Sequence, residues 1–129
     1  MYVEFHFNAK LKDNTPENVF RILQYMIDFD IFEVMIPAHP FFKTKKWHHI
    51  LASDSGVFDA STESTIHCHH YALGVTKNFL CVKCSFENDD NEVEKFIDWI
   101  TPYLDKTTGD FLGFYRYEST QNPVLIFMK

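Results

Sequence analysis

The sequence lacks the motifs that mark the common enzyme classes and the segments that mark membrane proteins. It contains no GxSxG, P-loop, HExxH or GxGxxG motif. No apolar run approaches the roughly 20 residues that a membrane-spanning helix needs, and the first residues alternate and carry charge, unlike a signal peptide. We therefore expect a cytoplasmic protein that does not bind a membrane and carries no known catalytic signature.

Cysteine, glycine, proline and basic residues are all scarce. The chain of 129 residues has 3 Cys, 4 Gly and 5 Pro. An odd number of cysteines fits poorly with a secreted disulfide framework, and the low Gly and Pro content argues against disorder. The 12 Lys and Arg are outnumbered by 18 Asp and Glu, which gives a formal net charge of −6. This charge disfavours nucleic acid as a partner, because phosphate binding needs clustered basic side chains.

Hydrophobic and aromatic residues are abundant. They include 14 Phe, and the hydrophobic share of the whole chain is 46%. A chain of this length is the usual size of one domain and buries roughly two-thirds of its unfolded surface. The composition therefore predicts a single globular domain over residues 1–129.

Two amphipathic helices are predicted, at Pro16–Asp28 and at Asn91–Leu104. Thr15 and Pro16 suit the start of the first helix, and apolar residues then recur at i, i+3, i+4, i+7 and i+8. The second helix has a similar apolar stripe, and Pro102 distorts or ends it. Each helix thus has one face to bury.

The remaining elements are predicted strands. Val3–Leu11 alternates apolar and polar residues, which indicates a strand with one buried and one solvated face. The predicted order is β-α-β-β-β-β-α-β-β, an α+β domain whose antiparallel-rich sheet has about six or seven strands and both helices on one face. The further strands of this order are 46–53, 57–60, 65–73, 79–87, 111–118 and 124–128, and residues 31–36 could form an additional short strand.

The densest group of reactive side chains lies on the predicted hairpin of strands 65–73 and 79–87. His-Cys-His-His occupies positions 67–70, and Cys81 and Cys84 follow on the second strand. If the loop is centred at residue 76, Cys68 is predicted to lie opposite Cys84, and His70 opposite Val82. Directly opposed Cβ atoms are about 5 Å apart.

Three interpretations of this hairpin compete. In the first, the thiols are small buried residues, reduced and without metal. In the second, Cys68, His70 and Cys84 bind a metal, although a structural zinc site needs a fourth ligand. In the third, Cys81 is a nucleophile activated by His69 and a nearby lysine.

An acidic segment and an apolar segment are the candidate interaction surfaces. The acidic segment comprises Glu87, Asp89, Asp90, Glu92 and Glu94, and part of its charge is explained by the positive end of the second helix. The apolar segment, Ile31–Phe42, carries Phe41 and Phe42, and its two prolines exclude a central strand. We expect it to mediate an interface, most simply with a second copy of the chain, or to fold back as a lid.

The leading functional hypothesis is a small, acidic, non-enzymatic protein that binds or inhibits a protein partner, in the manner of an immunity protein, or that self-associates. This hypothesis implies no cofactor and no catalytic residue. The alternatives are a metal- or thiol-dependent site on the hairpin, with Cys68, His70 and Cys84 or with Cys81 and His69, and a binder of a small apolar ligand.

Overall fold

The computed structural model describes residues 1–29 and 34–129. The protein is an α+β fold with one antiparallel sheet of five strands and two α-helices. The strands are β1 (Tyr2–Lys10), β2 (Thr65–His70), β3 (Thr76–Glu87), β4 (Phe111–Tyr117) and β5 (Val124–Phe127), and the helices are α1 (Glu17–Asp28) and α2 (Glu92–Ile100).

The sheet has the spatial order β2-β3-β1-β4-β5. Both β1 and β2 run antiparallel to β3, so β1 and β2 are parallel to each other with β3 inserted between them. The element order β1-α1-β2-β3-α2-β4 is that of the ferredoxin-like, split β-α-β motif, and β5 adds a fifth strand as a hairpin with β4. Such a fold by itself does not indicate a function.

The alternation of β1 produces the core, as its sequence predicts. Val3, Phe5 and Phe7 are fully buried, whereas the side chains between them lie on the other face of the sheet. The Phe5 and Phe7 rings lie about 6 Å from the ring of Phe96 in α2, with centroid separations of 6.0 and 6.1 Å. Buried residues of α1 belong to the same core cluster.

The helices begin and end where local chemistry requires. Pro16 directly precedes α1, and Phe29 ends it in the left-handed region, at φ 55°. Pro102 cannot donate an intrahelical hydrogen bond, so α2 stops at Ile100 and continues only as a short 3₁₀ helix, Thr101–Tyr103. The predicted helices were therefore correct to within a few residues at each end.

The prediction of six or seven strands was wrong, because residues 46–53 and 57–60 are not strands in the structure. The chain from Pro40 to Ala52 instead forms two short 3₁₀ helices joined by turns. These turns place Phe41, Ile50 and Leu51 in the core. Of the strand predicted at 31–36, residues 31–33 lie outside the described residues, and 34–36 are irregular.

Residues 53–63, which follow these turns, run beside part of β3 without forming a strand. The Ser85 amide donates to the Ser53 carbonyl at 3.1 Å, and the Glu63 amide donates to the Lys83 carbonyl at 2.8 Å. Single hydrogen bonds of this kind satisfy the β3 backbone where β2 does not reach. The β3 backbone is therefore hydrogen-bonded there without the additional strands that were predicted at 46–53 and 57–60.

Within residues 1–29 and 34–129, no helix has the length and apolar character needed to cross a bilayer.

The first prediction concerns the close approach of β1 and β4 at Gly113. A Cβ atom at Gly113 would lie 2.0 Å from the His6 carbonyl oxygen and 2.8 Å from the Phe7 Cα. Because both are backbone atoms of the central strand, we expect Gly113→Ala to lower the free energy of unfolding by more than about 3 kcal/mol. Urea denaturation followed by circular dichroism measures this loss.

Gly56→Ala is the matched control, since Gly56 has φ +72° and no atom within 4 Å of the added Cβ. It should cost only about 1 kcal/mol of backbone strain. Equal losses in the two variants would contradict the steric argument.

Candidate functional site

The β2–β3 hairpin has a different register from the one expected. Cys68 pairs with Asn78, and His70 pairs with Thr76, so the predicted pairs Cys68–Cys84 and His70–Val82 were wrong. The loop is centred at residue 73 rather than 76, because Leu73 and Gly74 both adopt positive φ, 64° and 73°, and turn the chain three residues earlier. The β3 strand consequently begins at Thr76.

This register separates the residues of the predicted metal set. Cys84 lies six positions beyond Asn78 on β3, which places it about 20 Å from Cys68 along the strand. Cys84 is buried in the core, and burial raises the pKa of its thiol. The set of Cys68, His70 and Cys84 is therefore not assembled within one chain.

The predicted thiol pair is also separated. His69 lies opposite Lys77, and Cys81 lies opposite Thr65, so the two side chains are four positions apart along β3, or about 13 Å. Burial raises the pKa of Cys81, which is the opposite of what an activated nucleophile requires.

The hairpin does bring Cys68 and His70 together. The Cys68 Sγ lies 3.9 Å from the His70 Nε2, and the Thr76 Oγ1 lies 3.4 Å from the other ring nitrogen of His70. Both Cys68 and His70 are exposed. Two metal-ligating atoms thus lie close together on one face of an accessible strand.

The opposite face of the same hairpin carries stacked aromatic rings. The His67 and His69 rings have centroids 4.3 Å apart, and His69 contacts Phe79 at 5.3 Å. Odd-numbered and even-numbered residues of β2 point to opposite faces. The four consecutive residues 67–70 therefore form two separate pairs rather than one cluster.

The end of the hairpin extends past the body of the sheet. β1 pairs with β3 only from Phe79 onward, and residues 67–76 are all exposed. Three apolar side chains surround the turn: Leu73 is 100% exposed, Tyr71 52% and Val75 44%. We define residues 71–75 as the hairpin tip.

The tip was missed by the sequence analysis, which assigned Tyr71 and Leu73 to a strand. The signal in the sequence was the Leu-Gly pair at 73–74, since glycine is favoured where φ is positive. A leucine with φ 64° is uncommon, and such strain occurs at functional sites more often than elsewhere.

The predicted acidic surface is largely paired within the chain. Asp89 forms a 3.2 Å ion pair with Lys46, and Asp90 forms one of 3.2 Å with Lys95. The Lys46 contact lowers the pKa of Asp89. Glu87 lies 3.9 Å from the terminal amine of Met1.

Glu92 does not belong to the exposed acidic surface, because its residue is only 1% exposed. Burial, together with the neighbouring Asp89, raises the pKa of Glu92. Its Oε1 has no hydrogen-bond partner among the residues that the structure describes. Glu94 is partly buried, and both of its carboxylate oxygens lie 3.5 Å from the Asn88 side-chain nitrogen.

Phe41 and Phe42 are core residues rather than an exposed surface. They are 0% and 8% exposed, and both pack against Trp99. The 3₁₀ helix Pro40–Lys43 turns both rings inward, so the described end of Ile31–Phe42 resembles the lid that the sequence also allowed. Met35 and Ile36 in the same segment remain exposed, and residues 31–33 lie outside the described residues.

A second exposed apolar surface lies on the β4–β5 hairpin. Phe111, Leu125 and Phe127 are each about half exposed, and the Phe111 and Phe127 rings have centroids 5.7 Å apart. Unlike the tip, these residues lie on strands of the sheet, whose register shifts between Phe111 and Gly113.

In the part of the chain that the structure describes, no three His, Cys, Asp or Glu side chains come together to hold a metal ion. Comparison with known proteins found no matching family model, no matching curated protein and no matching solved structure.

The second prediction tests the strain at the tip. Asparagine adopts the left-handed region more readily than leucine, and Leu73 buries no surface that a smaller residue would lose. We expect Leu73→Asn to raise the free energy of unfolding by about 0.5–1 kcal/mol. Leu73→Ala keeps a Cβ at positive φ, so it should leave stability unchanged in the same urea titration.

The third prediction concerns the three thiols, which are all free. A raised pKa keeps the thiol protonated as the pH rises through 8, so Cys84 and Cys81 should alkylate more slowly than the exposed Cys68. Mass spectrometry after brief iodoacetamide treatment at pH 8 should find the label on Cys68 first. Cys84 should react only when the protein unfolds, and early labelling of Cys84 would contradict its burial.

Proposed function

We propose that this chain is a small, acidic, non-enzymatic protein-interaction domain that binds its partner through the tip of the β2–β3 hairpin. The observation that carries the proposal is the fully exposed Leu73, held at positive φ between the exposed side chains of Tyr71 and Val75. An exposed group of large apolar side chains is typical of a protein-binding surface.

The shape of the hairpin supports an inhibitor-like mode of binding. Its six-residue strand β2 is about 20 Å long, and its tip is a five-residue turn between two strands. Such an element fits a cleft rather than a flat surface. Aromatic and aliphatic anchors that fill a pocket dominate the binding energy of many interfaces, and Tyr71 and Leu73 suit that role.

The net charge of −6 favours a basic partner, because complementary charge raises the rate of encounter. The contribution of the acidic segment is smaller than its sequence suggests, since Asp89 and Asp90 already pair with lysines. We therefore assign the binding energy to the tip and the long-range steering to the net negative charge of the whole chain. Three free cysteines also fit the cytoplasmic location that we propose.

The two alternative functions gain unequal support. The aromatic residues that suggested an apolar ligand pack against one another, as Phe41 does against Phe96 and Trp99. The metal hypothesis retains one specific observation, the proximity of Cys68 and His70.

The fourth prediction tests the tip directly. We expect Leu73→Asp to reduce capture of the partner from native lysate at least about tenfold, because a carboxylate loses its hydration in an apolar cleft without gaining a partner. Quantitative mass spectrometry of the captured proteins, in buffer containing EDTA, measures the ratio of wild type to variant.

Val57→Asp is the matched control. Val57 is 44% exposed, as Val75 is, but its amide donates to the Ser55 Oγ, and the Ser55 amide donates to Ser85 at the far end of β3. This variant should capture the same partner as the wild type. If Leu73→Asp also captures that partner undiminished, the tip is not the binding surface.

A further inference from the structure

We propose that Cys68 and His70 are half of a zinc site, and that a second copy of this chain supplies the other half. This inference rests on the proposed function, because it names a second copy as one partner of the β2–β3 hairpin. It differs from the predicted site of Cys68, His70 and Cys84, in which a single chain would provide all the ligands.

The two donor atoms already lie near the distance that zinc requires. Zinc binds sulfur at about 2.3 Å and imidazole nitrogen at about 2.0–2.1 Å in a tetrahedron, which sets the two donors about 3.6 Å apart. The Cys68 Sγ and the His70 Nε2 are 3.9 Å apart. Their spacing at i and i+2 places both side chains on one face of β2.

Thr76 orients the histidine for metal binding. Its Oγ1 lies 3.4 Å from the His70 Nδ1. When the Nδ1–H donates to this oxygen, the lone pair of Nε2 faces Cys68 and is free to bind a metal. A hydrogen bond from the second ring nitrogen is the usual support of a zinc-bound histidine.

The structure provides two ligands where a tetrahedral structural site needs four. Among the described residues, no third His, Cys, Asp or Glu approaches this pair to complete a site. Cys84 is excluded by its position in the core. The remaining ligands must therefore come from another molecule.

The position of β2 makes a second copy the simplest source. β2 is an edge strand of the sheet, so its outer backbone groups can pair with another strand. In antiparallel pairing about a two-fold axis, residues that face each other point to the same side of the sheet. An axis at His69 then places Cys68 of each copy opposite His70 of the other.

This arrangement collects two cysteines and two histidines on one face. Directly opposed Cβ atoms lie about 5 Å apart, and neighbouring ligands on each strand are two residues apart. The set is the Cys₂His₂ combination that zinc favours. Two thiols each release a proton on binding, and the two thiolates then balance the charge of Zn²⁺.

The fifth prediction follows from this stoichiometry. In the presence of a phosphine reductant, which prevents a disulfide, zinc should convert the full-length protein from monomer to dimer with one Zn²⁺ per two chains. Light scattering measures the mass, and elemental analysis measures the metal. EDTA should reverse the change. Substituting Co²⁺ should produce the visible absorption of a tetrahedral site and a thiolate-to-cobalt charge-transfer band.

Variants of exposed residues distinguish the ligands without unfolding the protein. Cys68→Ser and His70→Gln should each abolish the zinc-dependent dimer, and Thr76→Val should weaken zinc affinity about tenfold. His67→Gln is the control, because His67 lies on the opposite face of β2 and should dimerise as the wild type does.

Several outcomes would overturn the inference. These are zinc bound by a monomer, no zinc bound at all, a dimer that persists in Cys68→Ser, or a loss of dimer in His67→Gln equal to that in His70→Gln. None of them bears on the proposed function, because partner capture by the tip is measured in EDTA and depends on Leu73.

Discussion

The structure depends on one central strand that pairs on both sides. β1 hydrogen-bonds to β3 along one edge and to β4 along the other, and its inward side chains Val3, Phe5 and Phe7 are fully buried. Burying a large apolar side chain contributes about 1.5–3 kcal/mol. The same strand therefore holds the sheet together and anchors the core beneath the helices. The absent side chain of Gly113 allows β4 to approach β1 closely enough for this pairing.

The exposure of the end of the β2–β3 hairpin follows from the length of β1. β3 begins at Thr76, whereas its pairing with β1 starts only at Phe79. Residues 67–76, at this end of the hairpin, are consequently all exposed, whereas Lys77 and Asn78 still contact Asp13 and Leu11. Without a core to fill, the tip can carry leucine and tyrosine at exposed positions, and β2 can leave its outer edge open. The features that support both proposals are thus consequences of where β1 ends.

Much of the fold was predictable because its signals are local. The alternation of β1, the apolar stripes of both helices and the stop imposed by Pro102 each depend on neighbouring residues, and each predicted element exists. Residues 46–53 were misassigned because their apolar residues also suit turns that fold onto a core, whereas Val57 in the misassigned segment 57–60 is exposed. Phe41, Ile50 and Leu51 fill the space beside the helices, and that space is defined only when the sheet is in place.

One feature of the candidate site was predictable, the shared face of Cys68 and His70, and another, the hairpin register, was not. The alternation of side chains along a strand, with a period of two, was enough to predict that Cys68 and His70 share one face. The register was not predictable from the apolar pattern, because it depends on the folded conformation of Leu73 and Gly74. Moving the centre of the loop by three residues leaves the same faces of β2 and β3 on the same side of the sheet. It moves the partner of every β2 residue by six positions along β3. For this reason Cys84 lies beyond the reach of Cys68 and opposite Phe5 of β1, His70 lies beside Thr76, and the hairpin tip is exposed.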